Sequence, residues 1–93
     1  MTEFKSGDII RIINNQTNLE HLVGRVGIFE CYETGFGYYR HIQCSRIRLL
    51  VENREDRCGI PAYMLEKLDP SMDDVQFRLV YGISKDLIKE FIV

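Results

Sequence analysis

Short apolar runs separated by glycines and polar residues fill the first two thirds of the chain, which is the pattern of β-strands. The first run contains Ile9, Ile10, Ile12 and Ile13, and with so few polar positions it predicts a strand whose two faces are both covered. The asparagine-rich segment 14–18 predicts a loop. A second strand is expected over about 25–32.

A hairpin is predicted where Gly35 and Gly37 separate two aromatic, β-prone runs, because paired glycines in a short loop supply the positive φ of a tight turn. The returning strand is expected over 38–44. Residues 45–51 continue it with alternating polarity, and a bend at Ser45 would make them a separate strand; both alternatives stay open. The alternation places Ile47, Leu49 and Val51 on one face and Arg46 and Arg48 on the other.

The segment around Pro61 predicts a strand that ends in a tight turn. Proline has no backbone N–H, so a ladder over 57–60 is expected to stop there. A 3₁₀ turn should follow, with Tyr63, Met64 and Leu65 capping one end of the fold before the chain returns to the apolar Leu68.

The last quarter of the chain allows two interpretations. Val75, Phe77, Leu79 and Tyr81 alternate with other residues, which favours a strand, whereas the spacing of Ser71 and Asp74 favours a helix. We predict the strand. Ser84 is then expected to cap a final helix whose apolar face should dock on Ile9 and Ile13; that face consists of Leu87, Ile88, Phe91 and Ile92.

Two motifs carry a resemblance to known small barrels. The Pro61 segment resembles the closing part of SH3-like barrels through Gly59, Ile60, Pro61, Tyr63 and Leu68. The stretch from Gly7 to Ile12, followed by the G-x-x-G of Gly24 and Gly27, is similar to the opening of KOW modules. The resemblance implies a mainly β fold: an SH3-like five-stranded barrel with a 3₁₀ turn over 1–70 and a C-terminal strand-helix extension over 71–93 packed on it, as a single domain.

Size and composition agree with one small globular domain. The chain has 93 residues, 45% of them hydrophobic and 28% charged, which is ordinary globular usage. No apolar run approaches the roughly 20 residues of a membrane span, so we expect a cytoplasmic protein without membrane contact. Cys31, Cys44 and Cys58 are odd in number and lack C-x-x-C spacing, so each is expected to be a reduced, buried residue in a strand.

Chemistry-bearing motifs give no catalytic, cofactor or metal site, so we predict a protein that is not an enzyme and needs no cofactor. No nucleophile has a base at a useful spacing, and no phosphate-binding glycine loop is present. The candidate surface is instead an arginine-aromatic strip, in which aromatic rings could stack and arginines could pair with phosphate or carboxylate. The candidate partner-binding residues are Phe36, Tyr38, Tyr39, Arg40, Arg46, Arg48 and Tyr63. The alternative is that the tyrosines pair across strands in the core.

The expected function is therefore binding. The net charge of −2 argues against unaided nucleic-acid binding, which normally uses a basic surplus. We expect a small protein-binding module that modulates or recruits a larger complex, such as a phage or bacterial accessory or inhibitor protein. The resemblance keeps a second class open, a KOW-like nucleic-acid-binding factor of transcription or translation. A homodimer or partner interface formed through the C-terminal helix is the alternative to the docking of that helix on Ile9 and Ile13 within one chain.

Overall fold

Five antiparallel strands form one sheet in the computed structural model, which describes residues 3–13, 20–35, 37, 40–50 and 55–88. The strands follow the spatial order β4-β3-β2-β1-β5. Their bounds are Ile9–Ile12 (β1), Val26–Thr34 (β2), Gln43–Leu49 (β3), Asp56–Pro61 (β4) and Leu65–Lys67 (β5). No pairing joins β4 to β5 within the described ranges, so the fold is mainly β and closure into a barrel stays a prediction.

The strands largely follow the sequence pattern. The hairpin expected around Gly35 and Gly37 is present as the β2–β3 pair. Within the described residues the returning strand begins at Gln43, so the strand expected over 38–44 is wrong at 40–42, which form a turn. Residues 45–49 continue this strand without a break, although its pairing with β4 shifts between Ser45 and Ile47. Ile47 and Leu49 are buried and Arg46 and Arg48 are exposed, as predicted. The expected loop at 14–18, Val51 and the turn at 53–55 lie wholly or partly outside the described residues.

Glycine is required at one position before β2 and at one position within it, for two different physical reasons. Gly24 adopts a φ of +88°, which a side chain would strain, in the turn where its N–H donates to the Ile12 carbonyl. Gly27 has room for no side chain, because a Cβ there would stand 2.7 Å from the Arg48 carbonyl oxygen. The G-x-x-G spacing therefore combines one turn residue and one close strand contact.

The inner face of the sheet holds the first apolar cluster. Ile10 and Ile12 from β1 meet Phe29 from β2 and Ile47 and Leu49 from β3. The remaining members are Phe4, Leu22, Ile60 and Leu65, with Tyr32 packed against them. Burial of aliphatic and aromatic side chains of this size is the main source of stability in a small domain.

The Pro61 turn is confirmed in position but differs in one side chain. β4 ends at Pro61 and a 3₁₀ turn follows over Ala62–Met64. Met64 and Leu65 are buried, as a capping turn requires, but Tyr63 is 47% exposed. The expectation that Tyr63 packs as part of the cap is therefore wrong, because the turn directs Met64 rather than Tyr63 inward.

The predicted strand over 75–81 is wrong: Asp74–Tyr81 is an α-helix, α1. Asp73 caps it, its carboxylate accepting from the Gln76 N–H at 2.8 Å, and Gly82 ends it in the left-handed conformation with φ of +75°. Both are strong helix-end signals. The period-two alternation misled because Val75 and Leu79 are exposed, while the buried Phe77 and Tyr81 are four residues apart, on one face of a helix.

The segment after α1 contains a short 3₁₀ turn, Lys85–Leu87. Ser84 caps this turn as predicted, its side chain accepting from the Asp86 N–H at 3.3 Å. The C-terminal extension therefore consists of a helix and a 3₁₀ turn over its described part, rather than a strand and a helix. Phe91 and Ile92 lie outside the described residues.

The C-terminal extension covers part of the sheet's outer face. Ile9 from β1 and Val26 from β2 share a second apolar cluster with Phe77, Tyr81 and Ile88. The expected docking of the chain's last part on the face that carries Ile9 is observed in this sense, because Ile9 and Ile88 belong to the same buried cluster. It is not observed for Ile13 and Leu87, which are both exposed. The first strand is covered on both faces, but only as far as Ile12.

Arg11 connects α1 to the sheet by polar contacts. Its guanidinium donates to the Tyr81 carbonyl and to Glu66 Oε2, the latter at 3.1 Å, and lies 5.6 Å from the centre of the Tyr81 ring. The Tyr81 hydroxyl in turn accepts from the Asp69 N–H at 3.0 Å. The orphan carbonyl at the end of α1 is thereby satisfied by a side chain of β1.

Candidate protein-binding surfaces

The predicted arginine-aromatic strip is only partly covered by the described residues. Phe36, Tyr38 and Tyr39 lie outside them. The structure places the other four candidates in three areas: Arg46 and Arg48 lie on the outer face of β3, Arg40 lies in the β2–β3 connection, and Tyr63 lies in the 3₁₀ turn before β5. These residues do not form one continuous strip.

Arg46 and Arg48 are already paired with acids from the neighbouring strands. Arg46 Nε lies 3.8 Å from Glu30 Oε2 on β2, and Arg48 Nε lies 3.6 Å from Asp56 Oδ1 on β4. The four side chains form a charged mosaic on the open half of the outer face. Because each described arginine there has an acid beside it, this area has no basic surplus to attract phosphate.

The carboxylates of this mosaic also interact with each other. Burial raises the pKa of Glu30 above its ordinary value, and a hydrogen bond and charge repulsion from Asp56 raise this pKa further, while Arg46 and Arg48 lower it. Positive and negative side chains therefore alternate on this face. Such a mixed charge is typical of an ordinary polar surface and not of an anion-binding site.

One tyrosine near the β2–β3 hairpin packs in the core, which agrees in part with the alternative hypothesis that the tyrosines are structural. Tyr32 packs against Phe29 with ring centres 4.9 Å apart, and its hydroxyl accepts from the Phe4 N–H at 2.8 Å. Arg40 Nε donates to His41 Nε2 at 3.2 Å. Both residues line an open depression of about 430 Å³ at this end of the sheet. Tyr32 therefore has a structural role, whereas Arg40 remains at the surface.

Tyr63 belongs to a small exposed apolar edge. Ile13 donates its N–H to the Met64 carbonyl at 2.9 Å, and Gly24 donates to the Ile12 carbonyl at 2.7 Å. These backbone bonds bring the neighbourhoods of Ile13, Val23 and Tyr63 together. All three side chains are more than two fifths exposed, so this edge of the sheet presents apolar surface.

The outer face of α1 is the most exposed apolar surface of the described chain. We use this name for Val75, Leu79 and Val80, whose side chains are 71, 81 and 54% exposed. Val75 and Leu79 are four residues apart and therefore neighbours on the helix. Sequence reasoning missed this surface because it assigned the segment to a strand; the signal was the helix-end pair of Asp73 and Gly82.

The cysteines differ from the expectation that all three are buried. Cys44 is fully buried. This burial is the main cause that raises the pKa of the Cys44 thiol, and the negative charge of Glu33 raises it further. Cys31 and Cys58 are exposed, and both lie where the register of their strands with β3 shifts. All three are free thiols.

Two further features are absent from the described part of the chain. No three histidine, cysteine or acidic side chains come together in a way that could hold a metal ion. In the same residues, no helix has the length and apolar character to cross a membrane.

Comparison with models of protein families, with curated proteins and with solved structures gave no match.

Proposed function

We propose that the protein is a small non-catalytic module that binds a larger protein through the outer face of α1 and thereby modulates or recruits a complex. The observation that carries this proposal is the exposure of Val75, Leu79 and Val80 on a helix whose opposite face is fully packed. Large apolar side chains grouped on an otherwise ordered surface mark interaction sites more often than chance exposure does.

The dimensions of α1 favour a groove on a partner over a second copy of the chain. Eight residues at a rise of 1.5 Å per residue give a helix about 12 Å long. Two such faces pressed together would fall well short of the roughly 1,200 Å² that a stable interface buries. A groove surrounds a helix on three sides, and anchors at positions i and i+4 are its usual contacts.

The fold supports a binding role without defining it. We infer that the sheet closes as an SH3-like barrel, because β1 pairs with both β2 and β5 and a proline followed by a 3₁₀ turn precedes β5. The cytoplasmic location inferred from the sequence belongs to the same proposal. Folds of this kind serve many functions, so the partner is argued from the surface alone.

The second candidate is the KOW-like nucleic-acid-binding factor, in which Arg40, Arg46 and Arg48 would neutralise phosphates. The ion pairs of Arg46 and Arg48 with Glu30 and Asp56 make it the weaker proposal. Fluorescence anisotropy with DNA and RNA oligonucleotides separates the two. Low-micromolar binding that falls steeply with salt and disappears in an Arg46→Glu, Arg48→Glu variant would replace the first proposal by the second.

The direct test uses variants of α1. Partners captured from the native host's extract by the wild-type protein are identified by mass spectrometry, and the affinity of each purified candidate is measured by calorimetry. Val75→Ser and Leu79→Ser should each weaken the affinity for the true partner by about tenfold or more. A tenfold loss corresponds to the removal of a buried anchor that contributes about 1.4 kcal/mol to binding.

Gln43→Ala is the control, because Gln43 is exposed on β3, in the part of the sheet that α1 does not cover. It should bind as the wild type does. If Val75→Ser and Leu79→Ser leave the affinity unchanged while both variants stay folded, the outer face of α1 is not the binding surface.

A further inference from the structure

One charged side chain borders the outer face of α1. Arg78 is exposed and follows Val75 by three residues, so these two side chains are neighbours on the helix surface. Phe77, which precedes Arg78 directly, is buried in the second apolar cluster. Arg78 therefore stands beside the apolar side chains of the outer face, on the part of α1 that is open to solvent.

Arg78 differs from the arginines of the strands because it has no acidic partner. Each strand arginine has a carboxylate beside it, and the pairs are Arg11 with Glu66, Arg46 with Glu30, Arg48 with Asp56 and Arg57 with Glu55. The Arg78 side chain makes neither an ion pair nor a hydrogen bond with another residue of the described ranges. Its charge is therefore left for a second molecule to match.

We propose that the partner of the outer face of α1 is a protein whose apolar groove carries a carboxylate on its rim, placed to meet Arg78. This inference rests on the proposed function, because it describes the partner of the same surface. A guanidinium binds a carboxylate through two parallel N–H···O bonds, and arginine is enriched where proteins meet. The apolar side chains supply the burial, and Arg78 supplies a charge that selects the partner.

The charges along α1 favour a carboxylate of a protein over the phosphates of a nucleic acid. Duplex binding depends on several cations that displace counterions, whereas the outer face of α1 is bordered by Arg78 alone. Asp73 and Asp74 lie at the start of the helix and Arg78 in its last turn. A phosphate backbone along α1 would be repelled at the first end, whereas a single carboxylate near the second end would not. The opposite charges of the two ends also fix the direction in which α1 lies in the groove.

The first experiment uses a water-soluble carbodiimide as its probe, since this reagent couples an amine to a carboxylate in direct contact. The full chain with Arg78→Lys keeps the positive charge and gains an amine. In extract of the native host, this position should become coupled to an aspartate or glutamate of the partner, which mass spectrometry of the digested product locates. The wild type is the control, because a guanidinium does not couple. Adding Leu79→Ser to Arg78→Lys should abolish the coupling.

The second experiment measures the association and dissociation rates of the purified partner with a surface biosensor. Arg78→Ala should slow association at low salt by roughly threefold or more and remove most of its salt dependence, because charges at the rim of an interface act mainly on encounter. Leu79→Ser should instead speed dissociation. Lys5→Ala is the control for net charge, because it removes one positive charge outside α1, and it should associate as the wild type does.

The results separate this inference from the proposed function. If Leu79→Ser speeds dissociation while Arg78→Ala leaves the association rate and its salt dependence unchanged, the inference is wrong and the proposed function stands. If neither folded variant changes any rate, the proposed function fails and the inference fails with it. Coupling that persists when Leu79→Ser is added to Arg78→Lys would contradict the inference as well, because the coupled acid would then not belong to a groove that holds the outer face of α1.

Discussion

The outer face of the sheet has two halves that the same fold treats in opposite ways. Over β1 and the start of β2, Ile9 and Val26 are covered by Phe77, Tyr81 and Ile88. Further along, over β3 and β4, the face is open and carries the charged mosaic of Glu30, Arg46, Arg48 and Asp56. An apolar half-face of a sheet has to be covered by another element. The C-terminal extension covers that half and is therefore part of the fold.

The covered half should be as sensitive to substitution as an interior. Phe77 is fully buried between α1 and the sheet, so Phe77→Ala should lower the free energy of unfolding by about 3–5 kcal/mol. Urea denaturation measures this loss. Leu79→Ala, on the exposed side of the same helix, should change it by no more than about 0.5 kcal/mol. Equal effects of the two substitutions would mean that α1 is not docked.

The inner face provides the reference for a conventional core. Leu65 is buried in the first cluster beside Ile12 and Ile60, and Leu65→Ala should cost about 2–4 kcal/mol by loss of contacts and the cavity left behind. The same urea experiment applies. An unchanged midpoint would contradict the packing of β5 against β1.

The open half should contribute little to stability. Arg48→Ala removes an ion pair between side chains that are both more than two fifths exposed, and such surface pairs contribute about 0–1 kcal/mol. The expected change in the free energy of unfolding is therefore below about 1 kcal/mol, and added salt should reduce it. A loss comparable to that of Phe77→Ala would show that the two halves do not differ in the way described.

The smallest expected effect concerns pH. The raised pKa of Glu30, caused first by burial and then by Asp56, means that the folded protein holds this proton more tightly than the unfolded chain does. The ionised carboxylate therefore costs stability at neutral pH, and this cost disappears as the pH falls through the raised pKa towards the unfolded value.

Glu30→Gln should accordingly be slightly more stable than the wild type at pH 7, by about 0.5 kcal/mol or less for a site this accessible to solvent. The gain should vanish near pH 4. Urea midpoints of both proteins from pH 4 to pH 8 measure it, with Glu66→Gln as a control that removes a different paired carboxylate. A gain that grows towards low pH would have the wrong sign.

Much of the sheet follows from sequence because its signals are local. Pro61 predicts the end of β4, and Gly35 and Gly37 predict the β2–β3 hairpin. The apolar residues on both faces of β1 predict that another element covers its outer side. The helix α1 did not follow, because Val75 and Leu79 imitate a buried strand face while they lie in solvent. A short helix is stabilised by its capping residues and by the packing of Phe77 against the sheet. The hydrophobic periodicity of the segment carries no information on either of these.

The candidate sites were less predictable than the fold. The arginines of β3 were found by their spacing, but no local pattern specifies their partners. Arg46 meets Glu30 where the register between β2 and β3 shifts, and Arg48 meets Asp56 because these two residues lie opposite each other on β3 and β4. Residues that meet only through non-local pairing have no signature in the sequence around them.

The contact between Arg11 and Tyr81 tests the central claim, that α1 is docked on the outer face of the sheet, most directly. The guanidinium lies 5.6 Å from the centre of the Tyr81 ring, close enough for nuclear Overhauser effects between the Arg11 side chain and the ring protons. We expect these cross-peaks, together with upfield ring-current shifts of the Arg11 side-chain protons that Tyr81→Leu removes. Their absence in a folded protein whose α1 remains helical would contradict the docking of α1 on the sheet.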